Sequence, residues 1–306
     1  ANGHKKKCKK IARAGGAEQF YANTKAKEAA DVAVAKCALF LPAGATCSVC
    51  QDQTSTENLV RACTCGVAHL SCLVRRAQVS VSDNEANVTH YGSSADWQRC
   101  PTCKNDFDPT ARLPLKWACW KTYLSRGEGE SSRFAALVSL SYALHAEEQY
   151  KDALPFLRYS LDVRQRLFGM RVGYDKLSEG DPILEIEALL ADTCYNLKNY
   201  HEALTRYRDA RAHHVSAFGA AHRNTLQVCL KTAGVLVALD RRSEARDLLS
   251  KQLSLARNEF GEEDAATIQI AKVLYLCLKS QSGSHPAGPD ELREAKRLNV
   301  AFGPFR

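Results

Sequence analysis

From about Arg133 onward, apolar residues recur at intervals of three and four, the spacing of one helix face. Leu226, Leu230, Ala233 and Val237 mark one such face, and Ala245, Leu248, Leu249 and Leu253 mark the next. The arrangement repeats. QYKDAL…RQRLFG at residues 149–169 returns as NYHEAL…HVSAFG at 199–219 and, more loosely, as RRSEAR…ARNEFG at 241–261. Phe218 to Phe260, Ile183 to Thr225 and Thr225 to Thr267 are each steps of 42. The first step, Phe168 to Phe218, is 50, so eight residues are inserted near 171–180. Small residues (Ala143, Ala153, Ala203, Ala233, Ala245) recur where paired helices must approach closely. A lone helical hairpin cannot bury its stripe, so the hairpins must stack. The pattern predicts a right-handed helical solenoid with a concave face over residues 131–306. Its last unit, 267–299, is degenerate, with the loop GSHPAGPD, as a terminal cap would be.

Upstream the pattern changes. Residues 17–40 contain no Gly or Pro and are rich in Ala, Lys and Glu, which predicts one helix ended by Leu41, Pro42 and Gly44. Its apolar residues form no stripe until the last turns, so this N-terminal helix (residues 17–44) is expected to be partly exposed. Residues 109–130 are expected to be a helical linker. There Trp117, Trp120 and Tyr123 recur at three-residue spacing as a core or docking face, and RGEGESS at 126–132 breaks the helix. The intervening 45–108 is too short to bury an adequate core without staples.

Cysteine supplies the staples. CSVC, CTC, HLSC and CPTC place Cys47/Cys50, Cys63/Cys65, His69/Cys72 and Cys100/Cys103 as four pairs, and they use seven of the 13 cysteines. Thiolate and imidazole in two sets of four suit two tetrahedral Zn2+ ions. Each is worth about 10–16 kcal/mol of apparent binding energy in small finger peptides. His69 and Cys72, three apart, would share one face of a helix, and the run after them (Leu70, Leu73, Val74, Ala77) has the matching apolar spacing. Disulfides fit poorly, because Cys-x2-Cys is a metal signature and no apolar leader precedes it. His90, in the polar loop 79–96, has no partner at ligand spacing. Spacing alone leaves open whether neighbouring or alternate pairs share an ion.

Net charge is 42 minus 34, or +8, and residues 1–13 carry +6 of it through Lys5, Lys6, Lys7, Lys9, Lys10 and Arg13 with no acid. The basic character is therefore a tail, residues 1–16, expected to be disordered and available to RNA or an acidic partner. No aromatic interleaves the lysines, so base stacking is not indicated. No apolar run approaches 18 residues, which argues against a membrane span. The absence of an apolar leader and of Met at position 1 leads to the expectation of a processed initiator and a reducing compartment, cytosol or nucleus. There is no phosphate loop, Ser-His-Asp order or pair of carboxylates placed for acid–base chemistry. Cys194, Cys229 and Cys277 fall on apolar helix faces and are expected in the core, and His213-His214 on the surface.

The ligand order C4HC3, with one Cys-x-Cys and one His-x2-Cys pair, resembles the RING-CH variant of RING fingers. That resemblance implies cross-bracing, with Cys47, Cys50, His69 and Cys72 on one zinc and Cys63, Cys65, Cys100 and Cys103 on the other. It also implies recruitment of a ubiquitin-conjugating enzyme through Val49, with Pro101 matching the family's Cys-Pro-x-Cys and Lys104 placed against ubiquitin. Arg75 and Arg76 stand where RING-CH proteins often carry a tryptophan, and the gap from Cys72 to Cys100 is longer than usual. A PHD finger shares the ligand order but usually has a wider second pair and a tryptophan two residues before the seventh ligand. Here Trp97 lies three before Cys100.

Residues 133–299 resemble tetratricopeptide (TPR) repeats of the kinesin-light-chain type, with Phe218 to Leu226 similar to that family's inter-repeat linker. This implies a groove for a protein or peptide. The asparagine often presented there is replaced by Ser139, Leu189, Lys231 and Val273. The expected fold is mainly α: a TPR-type α-solenoid, a small α+β module with two zincs, and an N-terminal helix. The expected function is a RING-type ubiquitin ligase whose solenoid selects the substrate. The alternative is a non-enzymatic, zinc-stabilised TPR scaffold or adaptor in a larger assembly, of protein alone or of ribonucleoprotein.

Overall fold

The computed structural model describes residues 2–42, 44–52, 59–84, 96–167, 182–279 and 289–302. His90, the insertion at 171–180, Phe168 and most of the loop GSHPAGPD lie outside these residues. The chain divides into two compact units, Ala1–Val163 and Arg164–Arg306.

In the first unit the basic segment, expected to be disordered, is helix α1 (Asn2–Arg13). Lysine is a good helix former, and Lys10 and Arg13 in the last turn complement the helix dipole. The helix stops at Gly15 and Gly16, both at positive φ, where the Gly16 N–H donates to the Ile11 carbonyl at 3.0 Å. Helix α2 (Ala17–Ala38) follows, with only Ala22, Ala33 and Cys37 buried and Val32 still 55% exposed.

A two-stranded antiparallel hairpin, β1 (Leu59–Cys63) and β2 (Gly66–His69), pairs Leu59 with His69 and Val60 with Ala68. It runs directly into α3 (Leu70–Asn84). Helix α4 (Pro109–Tyr123) is started by Asp108, whose carboxylate accepts from the Thr110 N–H at 3.0 Å, with Pro109 in the first turn.

The segment expected as a linker is thus a helix of the core. Trp117, Trp120 and Tyr123 are each 1% exposed. Trp117 meets Tyr21 and Phe156 edge-on at 6.0 and 5.5 Å. Ala33 and Cys37 of α2 and Ala111 and Leu115 of α4 share one apolar cluster with Leu59, Val60, Leu73 and Phe107. The cysteine-rich module therefore has no core of its own; α2 and α4 complete it.

Helices α5 (Ser131–Ala146) and α6 (Tyr150–Leu167) form a hairpin. Tyr21 and Lys25 of α2 bond Asp152 of α6 at 3.2 and 2.9 Å. This pair, placed among the repeats by the sequence, falls mostly within the first compact unit.

The second unit stacks α7 (Pro182–Asn196), α8 (Tyr200–Phe218), α9 (Arg223–Ala238), α10 (Arg242–Phe260), α11 (Ala265–Lys279) and α12 (Pro289–Phe302). Its turns carry the sequence period. Lys198 and Asp240, 42 apart, are both left-handed, at φ 62 and 58. The residue after each donates back into the preceding helix, Asn199 to Cys194 O at 2.9 Å and Arg241 to Leu236 O at 2.8 Å. Gly219 and Gly261, again 42 apart, take φ 92 and 85 at the ends of α8 and α10, a conformation open to glycine at little cost. Ala203, Ala233 and Ala245 are fully buried, as close helix approach requires. Cys194, Cys229 and Cys277 are in the core as well. His214, expected at the surface, is buried, and its Nδ1 donates to the Ala210 carbonyl at 2.8 Å.

Candidate metal centre

Cys47 and Cys50 lie on the loop after α2, His69 ends β2, and Cys72 sits in the first turn of α3. Their four ligand atoms lie within 4.8 Å of one another. Cys50 Sγ and Cys72 Sγ are 3.4 and 3.7 Å from His69 Nδ1. The second group draws Cys63 from the end of β1, Cys65 from the hairpin turn, and Cys100 and Cys103 from the loop before α4, also within 4.8 Å. Cys65 Sγ and Cys100 Sγ are 3.9 Å apart. The structure brings together alternate pairs, the cross-braced combination.

These spacings match a tetrahedron around zinc. Ligand bonds of about 2.3 Å to sulfur and 2.0 Å to nitrogen give edges of roughly 3.8 and 3.5 Å. A disulfide needs sulfurs about 2.05 Å apart, and all the described cysteines are free thiols.

The backbone is shaped for thiolates. Val49 N–H and His69 N–H point at Cys47 Sγ, each at 3.4 Å, and Cys65 N–H points at Cys63 Sγ at 3.4 Å. Burial opposes ionisation of Cys47, but the N–H groups of Cys50, His69 and Val49 outweigh it and hold the thiol at about 6. The Thr64 hydroxyl and the Asn105 N–H hold Cys103 at about 6. Burial, together with neighbouring sulfurs, pushes Cys63 up to about 12 and Cys72 up to about 11. Each quartet thus contains thiols that ionise readily and thiols that do not. A divalent cation removes that conflict by making thiolate the favoured form of all of them. Four protein ligands per site leave no open coordination position, which is the arrangement of a structural ion rather than a catalytic one.

Both Cys-x2-Cys knuckles have one geometry. The residue after each is left-handed, Gln51 at φ 59 and Lys104 at φ 62, and donates its N–H to the first cysteine's carbonyl at 2.8 Å. Pro101 and Lys104 are exposed on the second knuckle. The role of Gln51 was not legible in the sequence, because only φ distinguishes it from any loop residue. Val49, half-buried on the first knuckle, borders a cleft of about 500 Å3 lined also by Arg75, Arg76 and Val79. Lys6, Lys7, Lys9 and Lys10 are exposed on α1; the Lys5 side chain lies outside the described residues.

The second unit has a groove of its own, about 550 Å3, lined by Tyr195, Gly234, Val237, Arg242, Val273 and Leu276. Tyr195 and Val237 are one 42-residue step apart on α7 and α9, so equivalent positions of successive hairpins build the wall. Gly234 sits inside α9, and a Cβ there would meet nothing within 4 Å. The packing does not require glycine. Its absence of a side chain leaves the groove open.

No family model matches the sequence. Over 156 residues the chain is 26% identical to the secreted RxLR effector protein RXLR-C07 of Plasmopara halstedii, covering 51% of this chain and 44% of that one. The chain thus spans under half of that relative's length. Two solved structures of a Podosopora anserina kinesin-light-chain protein with nearly identical TPR-like repeats, one carrying a substitution, each superpose with a TM-score of 0.51. Identities are 13% and 15%, over 76% and 77% of this chain and 93% and 98% of those chains. The helical hairpins have the TPR-like fold. At such identity the likeness concerns the fold alone. Among the described residues no helix is long and apolar enough to cross a membrane.

Proposed function

We propose that the chain is a RING-type ubiquitin ligase, with two zinc ions in the cysteine module and the protein to be modified held by the TPR-like hairpins. The observation that carries this reading is the alternate pairing of the two ligand quartets, with Val49 standing on the first knuckle beside an open cleft. Cys47, Cys50, His69 and Cys72 would hold one zinc, and Cys63, Cys65, Cys100 and Cys103 the other. Zinc supplies a cross-link that fixes both knuckles on the hairpin and α3. Val49 packs against the conjugating enzyme, while Pro101 and Lys104 meet the enzyme and its ubiquitin.

The chemistry belongs to the thioester. A substrate amine attacks the thioester carbonyl, the C–N bond forms as the C–S bond breaks, and the enzyme's thiol leaves with the proton the amine gives up. The ligase contributes position, holding the thioester in a reactive pose. No residue of this chain forms a bond to ubiquitin. For the repeat groove, the apolar wall of Tyr195, Val237 and Leu276 and the cations Arg242 and Lys279, with no carboxylate among the described lining residues, suit a peptide that places an apolar side chain beside an acidic one.

The test is discharge of charged conjugating enzymes by zinc-loaded protein. Loss of discharge in Val49→Arg, with two zincs retained, supports the reading. Equal discharge by Val49→Arg removes the interface.

A second reading, a non-enzymatic scaffold, is favoured by the exposed lysines of α1, which suit RNA or an acidic partner. Capture that is lost with nuclease or salt would support it. A cytosolic or nuclear site fits the free thiols. The likeness to a secreted effector raises delivery outside the producing cell, which fractionation would separate from retention.

A further inference from the structure

We infer that the cleft beside Val49 selects its conjugating enzyme by charge, accepting a docking surface that presents carboxylates around an apolar loop side chain. This rests on the ligase reading above.

The cleft lies between the first knuckle and α3, and its walls include Val49, Cys50, Cys72, Arg75, Arg76 and Val79. Arg75 and Arg76 follow the ligand Cys72 by three and four residues and Val79 by seven, so one helix face carries the ligand, both cations and the aliphatic side chain. Val79 remains 51% exposed and Val49 is half-buried, which leaves an apolar strip available to a partner.

Among the described residues no carboxylate lines the cleft. Elsewhere in this unit four arginines sit against acids: Arg61 with Asp108, Arg99 with Asp106, Arg126 with Glu130 and Arg133 with Glu18. Arg75 and Arg76 make no ion pair or side-chain hydrogen bond with any described residue.

Two guanidiniums beside an apolar strip in a concave surface make a field that water screens poorly. A basic docking surface meets repulsion there, whereas a carboxylate gains a charge-assisted, two-pronged hydrogen bond. Phosphates would answer the charge but make no use of the partly exposed apolar surface of Val49 and Val79, so a protein surface with both chemistries fits better than nucleic acid.

The test uses the full zinc-loaded chain and a panel of charged conjugating enzymes graded by the charge of their docking loops. Acid-faced enzymes are expected to discharge fastest, with the advantage shrinking as salt rises. Charge reversal by Arg75→Glu with Arg76→Glu is expected to slow them by about tenfold or more, and the neutral Gln pair to fall between. An enzyme whose docking carboxylates are changed to lysine is expected to recover activity only with the reversed chain. That rescue excludes misfolding of the variant.

Unchanged rates in both Arg variants, with Val49→Arg still inactive, would overturn charge selection and leave the ligase reading standing. No discharge of any enzyme by wild type carrying two zincs would end both.

Discussion

The cysteine module and the second-unit hairpins solve the same problem, too little core per segment, by opposite means. The hairpins repeat one apolar pattern until neighbours bury each other, so their stability is spread over many equivalent contacts. The module instead gathers eight candidate metal ligands from four chain segments and borrows Ala33, Cys37, Ala111 and Leu115 from helices on either side. Loss of one contact is therefore graded in the hairpins and close to all-or-none in the module.

The largest expected effect follows directly. Stripping the metal with a strong chelator should unfold the hairpin and the two knuckles, because about 10–16 kcal/mol of binding energy per ion is removed. Amide exchange should rise to the unprotected rate over residues 59–72 while α8 to α10 stay protected. Equal protection with and without chelator would show that the module stands on its packing alone.

Next is Trp117→Ala, which should cost about 3–5 kcal/mol in the first unit, read by denaturant unfolding. A loss under 1 kcal/mol would return α4 to the status of a linker. The same logic in the second unit gives a smaller effect of opposite sign. Gly234→Ala should stabilise by up to about 1 kcal/mol, since a helix-interior glycine is replaced where nothing clashes. Gly234→Leu, by filling the groove, should weaken capture of the solenoid's ligand without lowering the melting temperature. A destabilised Gly234→Ala would mean that the fold, not the groove, demands glycine.

The smallest effect concerns Asp264. The Arg223 side chain, 2.7 Å away, holds its carboxyl below the ordinary range, helped by the Ala266 N–H. A depressed folded value means stability that is present above the unfolded value near 4 and lost as pH falls through the folded one. Asp264→Asn should therefore lessen the acid sensitivity of the second unit slightly, as seen in thermal unfolding between pH 5 and 3. A variant as acid-sensitive as wild type would remove the pair from the account.

The two regions also differ in what their sequences disclose. Period and packing are one fact in the hairpins, so Phe218, Thr225 and Gly219 announced the turns and buried alanines that the structure contains. The eight candidate ligands were legible by type and spacing, whereas their pairing came only from the RING-CH resemblance, because spacing is blind to which loops fold back on each other. Helix α4 looked like a linker since its partners, α2 and α6, are remote in sequence. Helix α1 looked disordered because charge hid good helix propensity. His214 looked exposed because its Ala210 carbonyl partner is invisible to any apolar pattern. Arg75 and Arg76 were visible as a departure, yet their place in a cleft with no acid among its described lining residues required coordinates.

Whether alternate or neighbouring pairs share an ion is decided by native mass spectrometry of Cys50→Ser with Cys72→Ser. Both residues belong to one quartet, so with one zinc per quartet wild type should bind two and the double variant one. If neighbouring pairs shared the ions, the same two substitutions would strike both sites. A variant retaining no zinc would contradict the account.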